Sequence, residues 1–443
     1  MKVKFTIFAL ILVATITDLA AQANKVTTPK YRRSSIYTIM IDDAGLVKAD
    51  TIKQAFLTAP VPDKYNDHNL AIKTFDPRTI TLSPEEKKSK GDNAGSKFGK
   101  TILNNTTGGL ADTTDVADLP LKIEKFLKAN GIARGMVAKW FNRNEKGEFN
   151  MELIGERGQY DATEMAANIA KKTARGTASL SDAGEELIGN TFVVVTRFKY
   201  VSKEEIAEAA KGMLSMVEKY GGSTAASIAK VGSVAATVAA KGYVVQTTSY
   251  LYKLRWNDSI AAVFYQDYWV DANNFDQKKK EAFDTTNLFT LDLIGTEKAW
   301  ADVQSSIFTK KSEAELVRIA TVQAIDAVIA KLQKKYDVFK TKTPIYTTEP
   351  LTAKIGLKES LEKGDKFEVL EQILDEKTGK TVYKRVGTIK VDGSQIWDNR
   401  YMAAEIQPVD TTAGVQKKPV IDRTLFKGAS SKYYEGMLIR QIK

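Results

Sequence analysis

Between Gly189 and Trp269 the apolar and polar positions alternate with a period of two, break off, and then resume. Residues 191–201 (TFVVVTRFKYV) set Phe192, Val194, Phe198 and Tyr200 on one face and Val193, Val195, Arg197 and Lys199 on the other, the period of a strand. Residues 242–256 set Val244, Thr248, Tyr250, Tyr252, Leu254 and Trp256 against Thr247, Ser249, Lys253 and Arg255. Asn257-Asp258 then reads as a turn into Ile260–Val270, which predicts a hairpin with aromatic residues on both faces.

The interruption, residues 203–241, is predicted to be helical. Ser202 would cap its first helix, with Glu204 and Glu205 in the opening turn, where carboxylates complement the helix dipole. The second half repeats Ala225, Ala229, Gly232 or Ser233, Ala236 and Ala240 at intervals of three to four residues. Such a small-residue stripe lets another backbone approach closely, so these positions form the candidate interaction surface. Lys230 sits mid-stretch and would cost about 2.5–3.5 kcal/mol in a bilayer, which argues for close helix contact within or between chains.

Elsewhere the pattern predicts a strand at 35–41, a short helix at 50–58 capped by Asp50, and a polar loop around Pro60, Pro62 and His68. Residues 81–118 are dense in Gly, Asn, Thr and charge, and read as a flexible linker. They contain AGSKFGKT (Ala94–Thr101), an imitation of the phosphate-loop pattern. Ala94 replaces its first glycine and no apolar strand launches it, so the segment reads as an exposed loop. An amphipathic helix should begin at Leu119 and end at Asn130-Gly131. Residues 135–143 and 148–158 should form a hairpin about Asn144–Gly147, and residues 161–175 a helix. The clearest long helix spans 310–339, with Leu316, Ile319, Ala320, Ile325, Val328, Ile329, Leu332 and Tyr336 in one stripe and Ser312 with Glu315 as a capping box.

The first 23 residues carry Lys2 and Lys4, an apolar run from Phe5 to Ile16, and Ala21-Gln22-Ala23. That is the layout of a cleaved export signal, and the apolar run is too short to span a bilayer comfortably. The chain has no cysteine, which excludes disulfides and an N-terminal lipoprotein anchor. The remaining chain is long enough for two or three buried cores, and 43% hydrophobic residues fit a globular protein rather than a disordered or multi-span one. A net charge of +11 on an exported chain points away from nucleic acid and towards an anionic envelope glycan or lipid, or to no more than a solvated lysine-rich surface.

Chemistry is narrowed further by what the chain lacks. Without cysteine, and with His68 as the one histidine, Cys–His catalysis and multi-His zinc sites are excluded. A Ser–His–Asp triad would need His68, which is expected to make a local hydrogen bond in its loop, and no G-x-S-x-G occurs. Paired carboxylates remain, since glycoside hydrolysis needs only two. Glu156 with Asp161, or Asp267 with Asp271, would serve; Asp267 lies among Tyr265, Tyr268 and Trp269, a sugar-binding sort of neighbourhood. No cofactor is implied.

Past Thr341–Pro350 the predicted strands shorten. Gly364-Asp365-Lys366-Phe367-Glu368-Val369, Asp375-Glu376-Lys377-Thr378-Gly379-Lys380 and Val386-Gly387-Thr388-Ile389-Lys390-Val391 resemble the C-terminal module of flagellar assembly protein T and related envelope proteins. The resemblance covers 364–391, implies a small SH3-like β-barrel, and transfers no active site. The whole pattern also resembles uncharacterised exported proteins of Gram-negative bacteria.

The expected fold class is α+β, with an antiparallel sheet and packed helices in a central domain and a C-terminal small SH3-like β-barrel. Residues 1–23 would be the signal peptide, 24–118 an N-terminal α+β segment ending in the linker 81–118, 119–340 the central domain, and 345–443 the barrel. The leading expectation is a non-enzymatic exported envelope protein, periplasmic or associated with the outer membrane. It would act in structure, assembly or interaction through protein partners or self-association. The alternative is a secreted carbohydrate-active enzyme or glycan-binding protein using Asp267, Tyr265, Trp269 and Glu156.

Overall fold

The computed structural model describes residues 31–88, 115–158, 186–203, 243–303, 311–375, 381–403 and 421–442. Its central element is a sheet built on β1 (Ser35–Ile41), β4 (Thr191–Ser202), β5 (Tyr243–Leu254) and β6 (Leu291–Val303), with the two-residue strands β2 (Asn66–Asp67) and β3 (Thr74–Phe75) both alongside β1. The pairing of β4 with β5 runs without a break from Phe192 opposite Lys253 to Ser202 opposite Tyr243.

The sheet is mixed, which corrects the expectation of an antiparallel one. β1 lies parallel to β2, β3 and β4, whereas β4, β5 and β6 are antiparallel neighbours. Parallel neighbours require long crossovers, and more than a hundred residues separate β1 from β4. Both faces are covered. Tyr37, Ile39, Val193, Val195, Tyr250 and Tyr252 share one core with residues of α2 (Asp115–Ala129), α3 (Ile132–Trp140) and α4 (Glu152–Gly158). Ile36, Met40, Phe192, Val194, Phe198 and Leu251 share the other with α1 (Ala49–Thr58) and α7 (Glu313–Lys335). Burial on both faces explains why β4 is apolar at successive positions instead of cleanly alternating.

Several local expectations are corrected. Residues 135–158 form no hairpin, because Ile132, Ala133, Met136, Val137 and Trp140 are all buried at helical spacing, and 152–158 is again helical. Residues 260–270 are not the third strand. Asn257 Oδ1 accepts the Ile260 amide (3.0 Å), so this residue caps α5 (Asp258–Val263) instead of turning a hairpin, and a π-helical turn, Phe264–Tyr268, and then α6 (Gln277–Thr285) follow. The strand beside β5 is β6. Asp50 lies inside the first turn of α1, whose cap is Lys48 in the left-handed region. The expected linker contributes a short helix, Pro84–Lys88, and the start of α2 at Asp115. Tyr31–Ser34 leads into β1, with Tyr31 buried against Leu370 and Leu438.

Among the described residues β6 is the edge of the sheet, and its backbone is partly occupied. Tyr336 Oη accepts the Thr296 amide (3.1 Å), and Lys331 Nζ donates to the Lys298 carbonyl (2.8 Å), which blunts an edge otherwise open to strand addition. The Tyr336 hydroxyl lies where a side chain at Gly295 would sit. Gly295→Ala is therefore expected to cost about 1–3 kcal/mol through overpacking. Urea titration checks this, and a loss below about 0.5 kcal/mol, the usual scatter for neutral substitutions, would mean that Tyr336 swings aside.

The helix α7 is shorter than expected and buried around most of its circumference. Val317, Thr321, Val322, Ala324, Asp326 and Ala330 are buried in addition to the predicted stripe, the mark of a helix covered on more than one side. Ser312 caps it (3.3 Å to the Glu315 amide), but the Glu315 carboxylate turns to Lys311 (2.8 Å), so the capping box is half made. The second cover is the C-terminal barrel: strands β7 (Thr343–Thr348), β8 (Leu351–Ala353), β9 (Lys366–Leu374), β10 (Thr381–Val391), β11 (Thr424–Lys427) and β12 (Leu438–Ile442). They close in the order β10-β11-β8-β7-β12-β9, every pair antiparallel. From α7, Gln323 donates to the Tyr401 carbonyl (3.0 Å), Arg318 to the Tyr401 hydroxyl (2.9 Å) and Lys334 to the Ser360 carbonyl (2.6 Å).

Candidate functional site

The small-residue stripe, Ala225, Ala229, Gly232, Ser233, Ala236 and Ala240, lies outside the described residues, as do Asp161, the 161–175 helix and Ala94–Thr101. The runner-up glycan residues Asp267, Tyr265, Trp269 and Glu156 all lie among the described residues. Tyr265 and Trp269 are neighbours (ring centroids 5.5 Å apart), and Tyr265 is 44% exposed. Trp269 packs on Phe149, Phe141 and Phe264 as part of the core beneath. Asp271 accepts from the Trp269 indole (3.0 Å) and from the amides of Asn273 and Asn274, so it is spent on closing a turn. Glu156 lies on α4, whose Arg157 reaches His68, Asp67 and Ser35 near β1. Among the described residues no hydrogen bond or ion pair joins Glu156 to Asp267, and no group of His, Asp and Glu could hold a metal ion.

His68 is fully buried, and its contacts are long-range where a local one was expected. Nε2 lies 2.9 Å from the Met136 carbonyl and Nδ1 2.9 Å from Arg157. Arginine can only donate, which assigns the lone pair to Nδ1 and the proton to Nε2. Burial, with Arg157 and Lys139 nearby, pushes the imidazole pKa down to about 3. His68 stacks on Trp140. It is a neutral structural group.

The feature with the most chemistry is a cavity of about 230 Å³ between the sheet and the barrel. The topology brings together the N-terminal ends of β1 and β4 and the C-terminal end of β5, so Arg33, Asn190 and Lys253 converge at one end of the sheet. The chain leaving α7 contributes Lys340 and Lys342, the loop after α1 contributes Lys64, and β12 contributes Arg440. Among the described residues, six cationic side chains thus line one cavity, with Asp337 as the acid of its wall.

Several of them meet acidic or hydroxyl partners among the described residues. Glu186 is shared by Lys342 (3.4 Å) and Arg33 (4.0 Å) and also accepts from the Tyr383 hydroxyl (3.1 Å). Lys64 donates to Thr343 (2.7 Å) and stands 3.7 Å from Glu359; Lys340 pairs with Asp337 (2.6 Å) and Arg440 with Glu368 (2.6 Å). Burial lowers the pKa of Lys64, Lys253 and Lys342, and Arg440 and Arg33 lower that of Lys342 further. Cations gathered at this density, several of them largely buried, favour an anion among them.

On the far side of Lys64 the junction is acidic. Lys358 lies between Asp326 (3.7 Å) and Asp63 (3.6 Å), and Glu359 accepts from the Gly356 amide (2.7 Å) and Asn399 (2.9 Å). Asp326 is buried with Oδ2 lacking a hydrogen bond. Burial raises its pKa to about 7 despite Lys358.

Sequence reasoning missed the basic cavity because its six cations are scattered from position 33 to 440. The one local hint was Lys340-Thr341-Lys342, where two lysines two apart in an extended segment share a face. No protein-family model matches the chain, and no curated protein matches it.

Proposed function

We propose that this chain is a non-enzymatic, exported binding protein of the bacterial cell envelope that holds an anion between its sheet and its barrel. The observation that carries this reading is the convergence of six cationic side chains, three of them lysines with depressed pKa, on one cavity. Export rests on the signal-like first 23 residues. The resemblance of 364–391 to the flagellar assembly module supports an SH3-like identity for the barrel. Placing the ligand between two units suits an assembly role, since the bound anion would neutralise charges contributed by both. Protein partners or self-association through 225–240 belong to the same proposal.

The test is calorimetric titration of the chain lacking residues 1–23 with small anions at low ionic strength. Lys253→Gln is expected to weaken binding about five- to thirtyfold, the equivalent of roughly 1–2 kcal/mol for one charge-assisted contact. Asp267→Asn with Glu156→Gln should leave binding unchanged. Equal affinity of the parent chain and Lys253→Gln would remove the cavity from consideration.

A further inference from the structure

We infer that anion binding in this cavity is coupled to the uptake of a proton by Asp326, the buried carboxylate on the far side of Lys64. This rests on the anion-binding reading above and adds the regulation of that same site. The geometry is a run of alternating charges from α7 to the cavity wall. Asp326, on α7, meets Lys358 of the barrel's turn Leu357–Glu359 (3.7 Å). Lys358 also stands 3.6 Å from Asp63, in the loop after α1. The residues that follow these two in the chain, Glu359 and Lys64, stand 3.7 Å apart. Lys64 lines the anion cavity and also a smaller one of about 30 Å³, which Glu359 borders. Its ammonium thus lies between the acids of the junction and the anion site.

The charged groups that act on Asp326 are Lys358, Glu359 and Asp63, and the same three act on Lys64. While Asp326 is ionised it holds Lys358, and Glu359 and Asp63 answer the charge of Lys64. Asp63 is largely exposed, so Glu359 is the firmer hold of the two. Once Asp326 is protonated, Lys358 loses that partner and draws on Glu359 and Asp63 instead. Lys64 then meets less opposing charge, and an anion in the cavity supplies what is missing. The neutral form of Asp326 is within reach near neutral pH. Its Oδ2 is buried without a hydrogen bond, and burial raises its pKa to about 7 against the pull of Lys358, with Glu359 and Asp63 adding to the rise. Coupling is reciprocal, so whatever the proton adds to anion affinity the anion adds to proton affinity. The site therefore fills on acidification and empties as pH rises through neutrality.

The probe is sulfate, which stays a dianion across the range used, so that the ligand itself takes up no proton. The chain lacking residues 1–23 and its Asp326→Asn variant are titrated calorimetrically with sulfate at pH 5.5 and pH 8.5, at low ionic strength. At pH 8.5 the variant should bind about five- to tenfold tighter than the parent, towards the lower end of the usual coupling between sites, because it carries the neutral form permanently. At pH 5.5 the two should bind alike. Titrations at pH 7.5 in buffers of different ionisation enthalpy should show the parent taking up more protons per sulfate than the variant. The cavity lysines are common to both chains, so the difference isolates Asp326. A merely structural role for Asp326 would weaken binding in the variant instead of tightening it. Equal affinities at pH 8.5, weaker binding by the variant, or a gap just as wide at pH 5.5 would overturn the coupling and leave the anion reading standing. Absence of sulfate binding by the parent at either pH would overturn both.

Discussion

Phe264→Ala is expected to destabilise the protein by about 3–5 kcal/mol, the usual cost of truncating a buried aromatic ring. Phe264 is fully buried. Its ring meets Phe141 (4.5 Å), Phe149 (5.2 Å), Tyr265 (5.2 Å), Trp256 (5.8 Å), Trp269 (5.9 Å), Phe289 (6.1 Å) and Phe283 (6.2 Å). It stands in the π-helical turn between α5 and Trp269, so the loss would also loosen the stretch that sequence alone reads as a hairpin. Tyr265→Ala, one residue along but 44% exposed, should cost less, about 1–2 kcal/mol, because only part of its surface leaves water on folding. Thermal melts of the two variants decide the matter. If Tyr265→Ala proved as costly as Phe264→Ala, the aromatic side chains of 264–269 would be alternating across a strand and not gathered around one buried ring.

The same contrast shows what the amino-acid order could and could not reveal. The β4–β5 pair was legible because each strand repeats its pattern over a dozen residues and each face meets a core of its own. The neighbouring strand β6 was not, because its ladder with β5 slips between Leu251 and Tyr252, which places Leu293 and Gly295 opposite consecutive residues and breaks the alternation a reader would look for. Most of β6 is only half-buried, so its charged Glu297 and Lys298 do not stand out as one face. Residues 258–268 fail in the opposite way. They are as aromatic as a strand, yet one polar cap, Asn257, commits them to a helix. The barrel was legible from turn residues that its short strands need. The basic cavity was not legible at all, since it exists only once a parallel crossover has set Arg33 beside Lys253 and the barrel has been closed against α7.

Two buried titrating groups should give this protein opposed pH dependences that nearly cancel. His68 has a folded-state pKa of about 3 against an ordinary value of 6.5, so between those values the unfolded chain binds more protons and stability rises with pH. Asp326 runs the other way. Its folded pKa is about 7 against 3.8, so across that interval the folded chain holds the extra proton and stability falls as pH rises. Each slope is bounded at about 1.4 kcal/mol per pH unit, and the two overlap from roughly pH 4 to 6.5. Asp326→Asn removes the falling slope and should leave a protein that loses stability on acidification through that window. Above pH 7 it should be more stable than the parent, because a carboxylate buried between α7 and the barrel no longer has to ionise there. His68→Gln removes the rising slope and should give the mirror result, stability falling from pH 4 to 6.5, whatever it costs in absolute terms through the lost bond to Met136. Urea midpoints measured for the parent and both variants at half-unit pH steps test this directly, since every other titrating group is common to all three chains. Parallel curves for the parent and Asp326→Asn would mean that Lys358 keeps Asp326 ionised throughout. The junction beside Lys64 would then be a simple ion-pair cluster with no proton held between α7 and the barrel.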